Sequence, residues 1–262
     1  MPRFPIGFWN YEVIARQGPE AVKDWVDCGM TLAMGPCYGG EPGDAGKMRA
    51  ILDEAHKAGA ILIFDEITIG WRLALGGAHL RYGVSPDIAV FAKALGNGHP
   101  AAAVIGRAGV MQAAQRSFIS STYWTEGVGS AAALATVRKM QRVDVPAHVA
   151  RVGVYFQRKM SEVGARHEVP LKLAGHPAVT TIAFDHADSL ALRTLMVVRM
   201  LERGILAGGQ FSVTLAHSET HVDRYAAAAD EIFAELADAV HKGDVAQRIG
   251  GRAAHSGFAR LT

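Results

Sequence analysis

An α/β fold built on a mostly parallel sheet is predicted by three features of the sequence. The first two are short apolar runs that each end in an ionisable residue. Ile61-Leu62-Ile63-Phe64 leads into Asp65-Glu66, and Ile88-Ala89-Val90-Phe91-Ala92 leads into Lys93. Both are rich in β-branched or aromatic residues and bounded by Gly or Pro-Asp, so they read as buried parallel strands. The third is the order of the segments up to Asp65, a β-α-β-α-β alternation that calls for parallel pairing. Chemistry on such sheets gathers beyond the carboxyl ends of the strands, which puts Asp65 and Lys93 on one rim.

Each element has its own signal. Phe4 to Tyr11 is a short apolar-aromatic run, and residues 19–28 form a helix with Val22, Trp25 and Val26 on one face. Residues 30–34 form a strand closed by Gly35-Pro36, and the glycine-rich residues 37–46 form a loop. Asp44 is the expected N-cap of the next helix, in which Met48, Ile51, Leu52 and Ala55 recur at helical spacing. Lys57-Ala58-Gly59 ends that helix with a basic turn and a glycine. The connection after Asp65 is long and holds Gly70, Trp71, Arg72, Gly76 and Gly77. Long loops on an active rim often carry function.

Gly96-Asn97-Gly98-His99-Pro100 turns the chain into a third strand at residues 101–105, followed by a short helix at 110–116. A polar-aromatic stretch and an Ala-rich helix at 130–142 come next. Composition shifts at Asp144-Val145-Pro146, a hinge into a smaller region. That region reads as a helix at 146–163, a strand at 178–184, a helix at 189–203, strand-like segments at 205–206 and 211–216, and a helix at 220–240. His221, Arg224 and Asp230 fall on the wet face of the last helix. From Gly243 onward the chain is unpatterned and reads as a frayed tail.

Half of the 262 residues are hydrophobic and a fifth are charged, ample material for a packed core. The net charge of +2 implies neither a nucleic-acid groove nor an acidic tail. No apolar stretch is long enough to span a bilayer, and the first residues lack the apolar block of a signal peptide. Cys28 and Cys37 are not in C-x-x-C spacing and read as reduced thiols. The scattered histidines offer no metal-ligand spacing, so no metal site is expected. A soluble cytoplasmic protein without nucleic-acid or membrane partners is the expectation.

Asp65 and Lys93 on neighbouring strand ends fit either a structural ion pair or a reactive pair. Their surroundings carry a resemblance. Asp65-Glu66-Ile67-Thr68-Ile69-Gly70-Trp71-Arg72, Gly76-Gly77, Tyr82-Gly83-Val84-Ser85-Pro86-Asp87 and Phe91-Ala92-Lys93-Ala94-Leu95-Gly96-Asn97-Gly98 resemble, in order and spacing, the class III aminotransferases. These are pyridoxal-phosphate enzymes of fold type I, and the similarity is greatest to the glutamate-1-semialdehyde aminomutase branch. It covers roughly residues 48–239.

The resemblance implies pyridoxal 5'-phosphate as cofactor, a small-molecule amino donor and acceptor, and a homodimer. By the same resemblance Lys93 forms the Schiff base with the cofactor aldehyde, Asp65 partners the pyridine nitrogen, and Thr122 donates to the cofactor phosphate across the dimer interface. An ST-turn capping the following helix is an equal reading of Thr122. For Arg72 a salt bridge is favoured over binding a substrate or cofactor anion. The implied organisation is a divergent β-α-β segment at 1–47, part of the cofactor-binding large domain at 48–143, a small α+β domain at 144–242, and a flexible tail at 243–262.

The chain also departs from the family. No Gly-Ser-Glu-Ala-type phosphate turn precedes the strand at Ile61, and Trp124-Thr125-Glu126 replaces the usual segment after the threonine. Phe8-Trp9-Asn10-Tyr11 instead faintly resembles the opening of a glycosidase barrel. A truncated or chimeric chain with a seam between Gly35 and Gly59, weak in cofactor retention, is therefore expected. The alternatives are a non-catalytic α/β remnant and, ranked third, a barrel fragment of the glycosidase kind.

Overall fold

The computed structural model describes residues 7–8, 14–35 and 43–255, with the side chains of 7, 8 and 15 left aside. Trp9, Asn10, Tyr11, Cys37 and the last residues of the expected tail lie outside them. Two compact units divide the chain, Met1–Pro146 and Ala147–Thr262.

The first unit holds β1 (Gly7–Phe8), α1 (Ala21–Asp27), β2 (Leu32–Met34), α2 (Asp44–Lys57), β3 (Ile61–Asp65), α3 (Ala78–Tyr82), β4 (Ile88–Phe91), β5 (Ala103–Gly106), α4 (Ala108–Met111) and α5 (Val128–Met140). Its sheet runs β1-β2-β3-β4-β5, parallel through β4 with antiparallel β5 at the edge. The mostly parallel α/β sheet is thus present. The tight Gly96 to Pro100 connection explains the reversed β5, since a parallel return needs a longer crossover.

β3 and β4 are not buried on both faces. Burial alternates along each, with Leu62 and Phe64, and likewise Ala89 and Phe91, turned inward. The register pairs Phe64 with Ala89, so these side chains share one face. Met48, Ile51, Leu52 and Ala55 of α2 and Val22 of α1 pack with Leu62 and Phe64, while Ala133 and Val137 of α5 pack with Ala89 and Phe91. Sequential parallel strands joined by right-handed crossovers send their helices to the same side. The other face of the sheet stays half-exposed.

Helix ends follow local chemistry. Gly59, at φ +71°, closes α2 in a Schellman motif: its N–H donates to His56 C=O at 3.0 Å and that of Ala60 to Ala55 C=O at 2.8 Å. Asp44 is the first helical residue rather than the N-cap. Gly43 takes the cap position at φ +103°, a conformation glycine adopts without penalty.

The second unit holds α6 (Val145–Arg166, its first two residues in the preceding unit), β6 (Leu171–Ala174), β7 (Val179–Phe184), α7 (Ser189–Glu202), β8 (Gln210–Ser212), α8 (Glu219–Lys242) and α9 (Val245–Ile249). Its antiparallel sheet runs β6-β7-β8. Phe156, Met160, Leu192, Leu195, Met196, Ile232 and Phe233 are fully buried in its core. Ile205 and Leu206 are not a strand. Ile205 N–H is spent on Met200 C=O at 2.9 Å, completing the Schellman cap of α7 around Gly204.

The expected frayed tail also gives way over its described part. α9 docks through buried Val245 and through Arg248, which donates to Asp244 at 2.7 Å and Asp238 at 2.6 Å. Too short to show periodicity, α9 is held by these ion pairs instead. Arg199 of α7 joins the cluster, forking onto Glu235 with two bonds of 2.9 Å and donating to the Arg248 carbonyl at 3.2 Å.

The Arg199 guanidinium holds the Glu235 carboxyl below its ordinary value of 4.5. A folded value below the unfolded one stabilises the fold above the ordinary carboxylate range, and that stability is lost as pH falls through the depressed folded value. Melting temperatures recorded between pH 7 and pH 3 should therefore fall less steeply for Glu235→Gln than for the unsubstituted chain. Parallel acid limbs would assign this ion pair no role in stability.

Candidate active site

Asp65 is the last residue of β3, paired in register with Val90 of β4, and Lys93 follows three residues later. Both groups therefore emerge at the carboxyl ends of adjacent parallel strands, and both are solvent-exposed. They do not pair with each other. Asp65 Oδ1 accepts from Ile67 N–H at 2.8 Å, while Lys93 Nζ donates to Thr68 Oγ1 at 2.7 Å. The dry structural ion pair allowed by the sequence is not formed.

The backbone at Lys93 is unusual. Its φ of +45° lies in the left-handed region, which costs a non-glycine residue of order 1 kcal/mol or more. Asn97 N–H donates to the Lys93 carbonyl at 2.9 Å and holds the turn closed. Two glycines permit the close packing around it. A Cβ on Gly70 would sit 2.6 Å from the Glu66 carbonyl and 2.8 Å from the Phe91 ring; one on Gly96 would sit 2.2 Å from the His99 carbonyl.

Adjacent in sequence, Asp65 and Glu66 have opposite environments, as the pleat of a strand dictates. Glu66 is 3% exposed and caps α3, accepting from Ala78 N–H at 2.9 Å, from His79 N–H at 3.0 Å and pairing with His79 Nδ1 at 2.9 Å. It anchors the long connection, which contains the short helix that its glycines concealed from sequence patterning. Trp71 and His79 flank Phe91 with ring centroids 6.1 and 6.4 Å away, so this connection packs on β4 just before Lys93.

Arg72 reaches back to its own turn, donating Nε–H to the Thr68 carbonyl at 2.8 Å, and burial pushes its guanidinium down. It thereby braces the residue that holds the Lys93 amine. Thr68 was not singled out by sequence reading: a hydroxyl within a connection has no periodic signal.

Thr122 is exposed on a turn and hydrogen-bonds to neither Asp65 nor Lys93. The ST-turn there belongs to Ser121, whose Oγ accepts from Tyr123 N–H at 3.2 Å, and Glu126 Oε1 accepts from Val128 N–H at the start of α5. The helix-capping reading of Thr122 is therefore replaced by these two neighbours. Among the described residues, no group of three or more His, Cys, Asp or Glu is placed to hold a metal, and no helix is long and apolar enough to cross a membrane.

The family profile of the class-III aminotransferases matches residues 38–240. A 2'-deamino-2'-hydroxyneamine transaminase of Streptomyces kanamyceticus is 31% identical over 183 residues, covering 68% of this chain and 46% of that protein. A glutamate-1-semialdehyde 2,1-aminomutase of Desulfosudis oleivorans is 33% identical over 211 residues, covering 74% and 49%. The fold matches that of the FumI protein of Sphingopyxis sp. MTA144, solved in its PLP internal aldimine form, with a TM-score of 0.77 at 19% identity. That match covers 88% of this chain and 58% of the other. The chain spans about half the length of the curated relatives it matches.

Proposed function

The chain belongs to the class-III aminotransferases, and from that membership we propose that it carries the lysine and aspartate of a pyridoxal-phosphate-dependent amino-transfer site. The observation that carries this reading is the disposition of Asp65 and Lys93. An acid and an amine stand at the ends of adjacent parallel strands, exposed and unpaired with each other, while the amine is steadied by Thr68.

Those residues fit the cofactor's needs at its ring. Bound there, pyridoxal phosphate supplies an electron-withdrawing ring that stabilises negative charge on the substrate carbon. Asp65 would hold a proton at the pyridine nitrogen, since a fixed carboxylate favours the protonated ring. Lys93 would hold the cofactor through Nζ and, as a general base, move a proton at the substrate carbon bearing the amino group. Thr68 Oγ1 orients Nζ, and Arg72 keeps Thr68 in place. Thr122, exposed on its turn, would donate to a phosphate held against a second copy of the chain. Phe118, Ile119, Tyr123 and Trp124 on the same segment are all exposed, which supports a homodimer formed there. The reaction class is transfer of an amino group between a small-molecule donor and acceptor.

Incubation with pyridoxal phosphate, reduction with borohydride and peptide mapping test the proposal. The expected label lies on the peptide containing Lys93 and disappears in Lys93→Ala. Absence of label at saturating cofactor would leave the non-catalytic α/β reading in possession.

A further inference from the structure

The turn that joins β8 to α8 is closed by two imidazoles. Ser218 is the N-cap of α8, and its Oγ accepts from the N–H of His221, the third residue of the helix. In return His221 Nδ1 accepts from the Ser218 N–H at 3.1 Å. Glutamate or glutamine ordinarily makes this reciprocal bond, so here a titrating ring has taken its place. Just before it the chain repeats the device. His217 Nδ1 accepts from the Thr214 N–H at 3.0 Å, and the His217 N–H donates to the Thr214 carbonyl at 3.1 Å.

A backbone N–H can only donate, so each Nδ1 keeps its lone pair and the ring proton sits on Nε2. A protonated ring carries N–H at both positions and would set one donor against another. A third imidazole stands behind the turn. His148 of α6 donates Nε2–H to the His217 carbonyl at 2.9 Å, and Arg151 donates to His148 Nδ1 at 3.4 Å. The same neutral tautomer is thus required three times.

The surroundings also resist positive charge. The rings of His217 and His221 stand edge to face with centroids 6.2 Å apart, and Phe211 packs on His217 at 5.4 Å. Arg151 pairs with Glu219 at 2.8 Å, and Arg224 lines the same cavity of about 360 Å³ as the two rings. β8 and the turn before it add no charged group. Burial, and then the charge that His221 and His148 would carry, push the His217 imidazole below its ordinary value of 6.5. With the folded value below the unfolded one, the contribution of neutral His217 is complete above the ordinary value. It is lost as pH falls from there through the depressed folded value.

We propose that residues 214–221 form an acid-sensitive latch, shut by neutral His217 and His221 and opened when they take up protons, which frays the first turn of α8 and loosens one wall of the cavity. On protonation the Thr214 and Ser218 N–H groups lose their acceptors, and two charged rings 6.2 Å apart repel. The core beneath, around Phe156, Leu192 and Phe233, is apolar, so the opening stays local. The latch draws on neither Asp65 nor Lys93 and stands apart from the amino-transfer reading.

Nitrogen-15 NMR of the full chain between pH 8 and pH 5 tests it. At the upper end the ring nitrogens of His217 and His221 should report the Nε2–H tautomer. As pH falls, the Thr214 and Ser218 amide signals should move with the imidazole titration, that of His217 having its midpoint below 6.5. Far-ultraviolet circular dichroism should keep most of its helix signal meanwhile. His221→Gln supplies an acceptor that does not titrate, so the Ser218 amide should lose its pH dependence while the helix start is kept. That variant and His148→Gln should each raise the His217 midpoint, because each removes a neighbouring positive charge. Nδ1–H tautomers, Thr214 and Ser218 amides that stay still through the titration, or a His217 midpoint unmoved by both variants would overturn the proposal. So would loss of the whole fold over the same range.

Discussion

Asp87→Ala should destabilise the first unit by about 3 kcal/mol, a large part of what a domain of this size holds in reserve. Asp87 is 2% exposed and ties together three parts of the unit. Its Oδ2 accepts from Leu62 N–H at 2.9 Å, and its Oδ1 meets His56 Nε2 at 2.8 Å and Arg107 Nη1 at 3.0 Å. Its backbone extends the pairing, donating to Leu62 C=O at 3.1 Å and accepting from Arg107 N–H at 2.9 Å. Alanine would leave the Leu62 N–H buried without an acceptor, remove the charge opposite the Arg107 guanidinium and take away the partner of the His56 ring. His56 and Arg107 are partly exposed and recover solvation, which keeps the loss near the lower end for a broken buried pair. Asp87→Asn, which keeps an acceptor for Leu62, should cost about half as much. All four tryptophans fall in the first unit, so the urea midpoint followed by tryptophan fluorescence reports this unit selectively. An unchanged midpoint in Asp87→Ala would show that the network is dispensable.

Asp65→Ala should weaken retention of pyridoxal phosphate by about tenfold to a hundredfold while sparing the fold. On the proposed assignment the variant would remove one charge-assisted hydrogen bond to the ring nitrogen, worth roughly 1.5–3 kcal/mol. Its carboxylate is exposed and accepts one local bond, from Ile67 N–H, so the unfolding midpoint should hardly move. Equilibrium dialysis of the two proteins measures the difference. Borohydride label should still reach Lys93 in Asp65→Ala once the cofactor is supplied in excess. That pattern separates a residue that grips the ring from one that binds it covalently. Equal retention by both proteins would remove Asp65 from the site.

Much of this was legible because it rests on short-range rules. The positions of β3 and β4, the periodic face of α2 and its glycine cap all lie within a few residues of sequence, whereas the burial of only one side of each strand does not. The motifs around Asp65 and Lys93 also lie close together in the chain, and the family they resemble is the family to which the chain belongs. Elements without a local signature were misread or missed: α3 among glycines, β6, the direction of β5, and α9 after the last long helix. Each depends on a partner distant in sequence. Thr68 and Glu66 stayed hidden for the same reason, one revealed by Lys93 and the other by the start of α3.

By itself, then, the sequence determined the class of fold and the place of Asp65 and Lys93 at neighbouring strand ends, because apolar spacing and strand boundaries are written residue by residue. Only the tertiary structure decided that Asp65 and Lys93 stand apart rather than neutralise one another, that Asp87 is a buried clasp, and that His148 reaches the carbonyl of His217. Those outcomes turn on distances of a few ångströms between segments that the chain separates by tens of residues. Hydrogen bonds and ion pairs choose between such alternatives only once packing has brought the segments together.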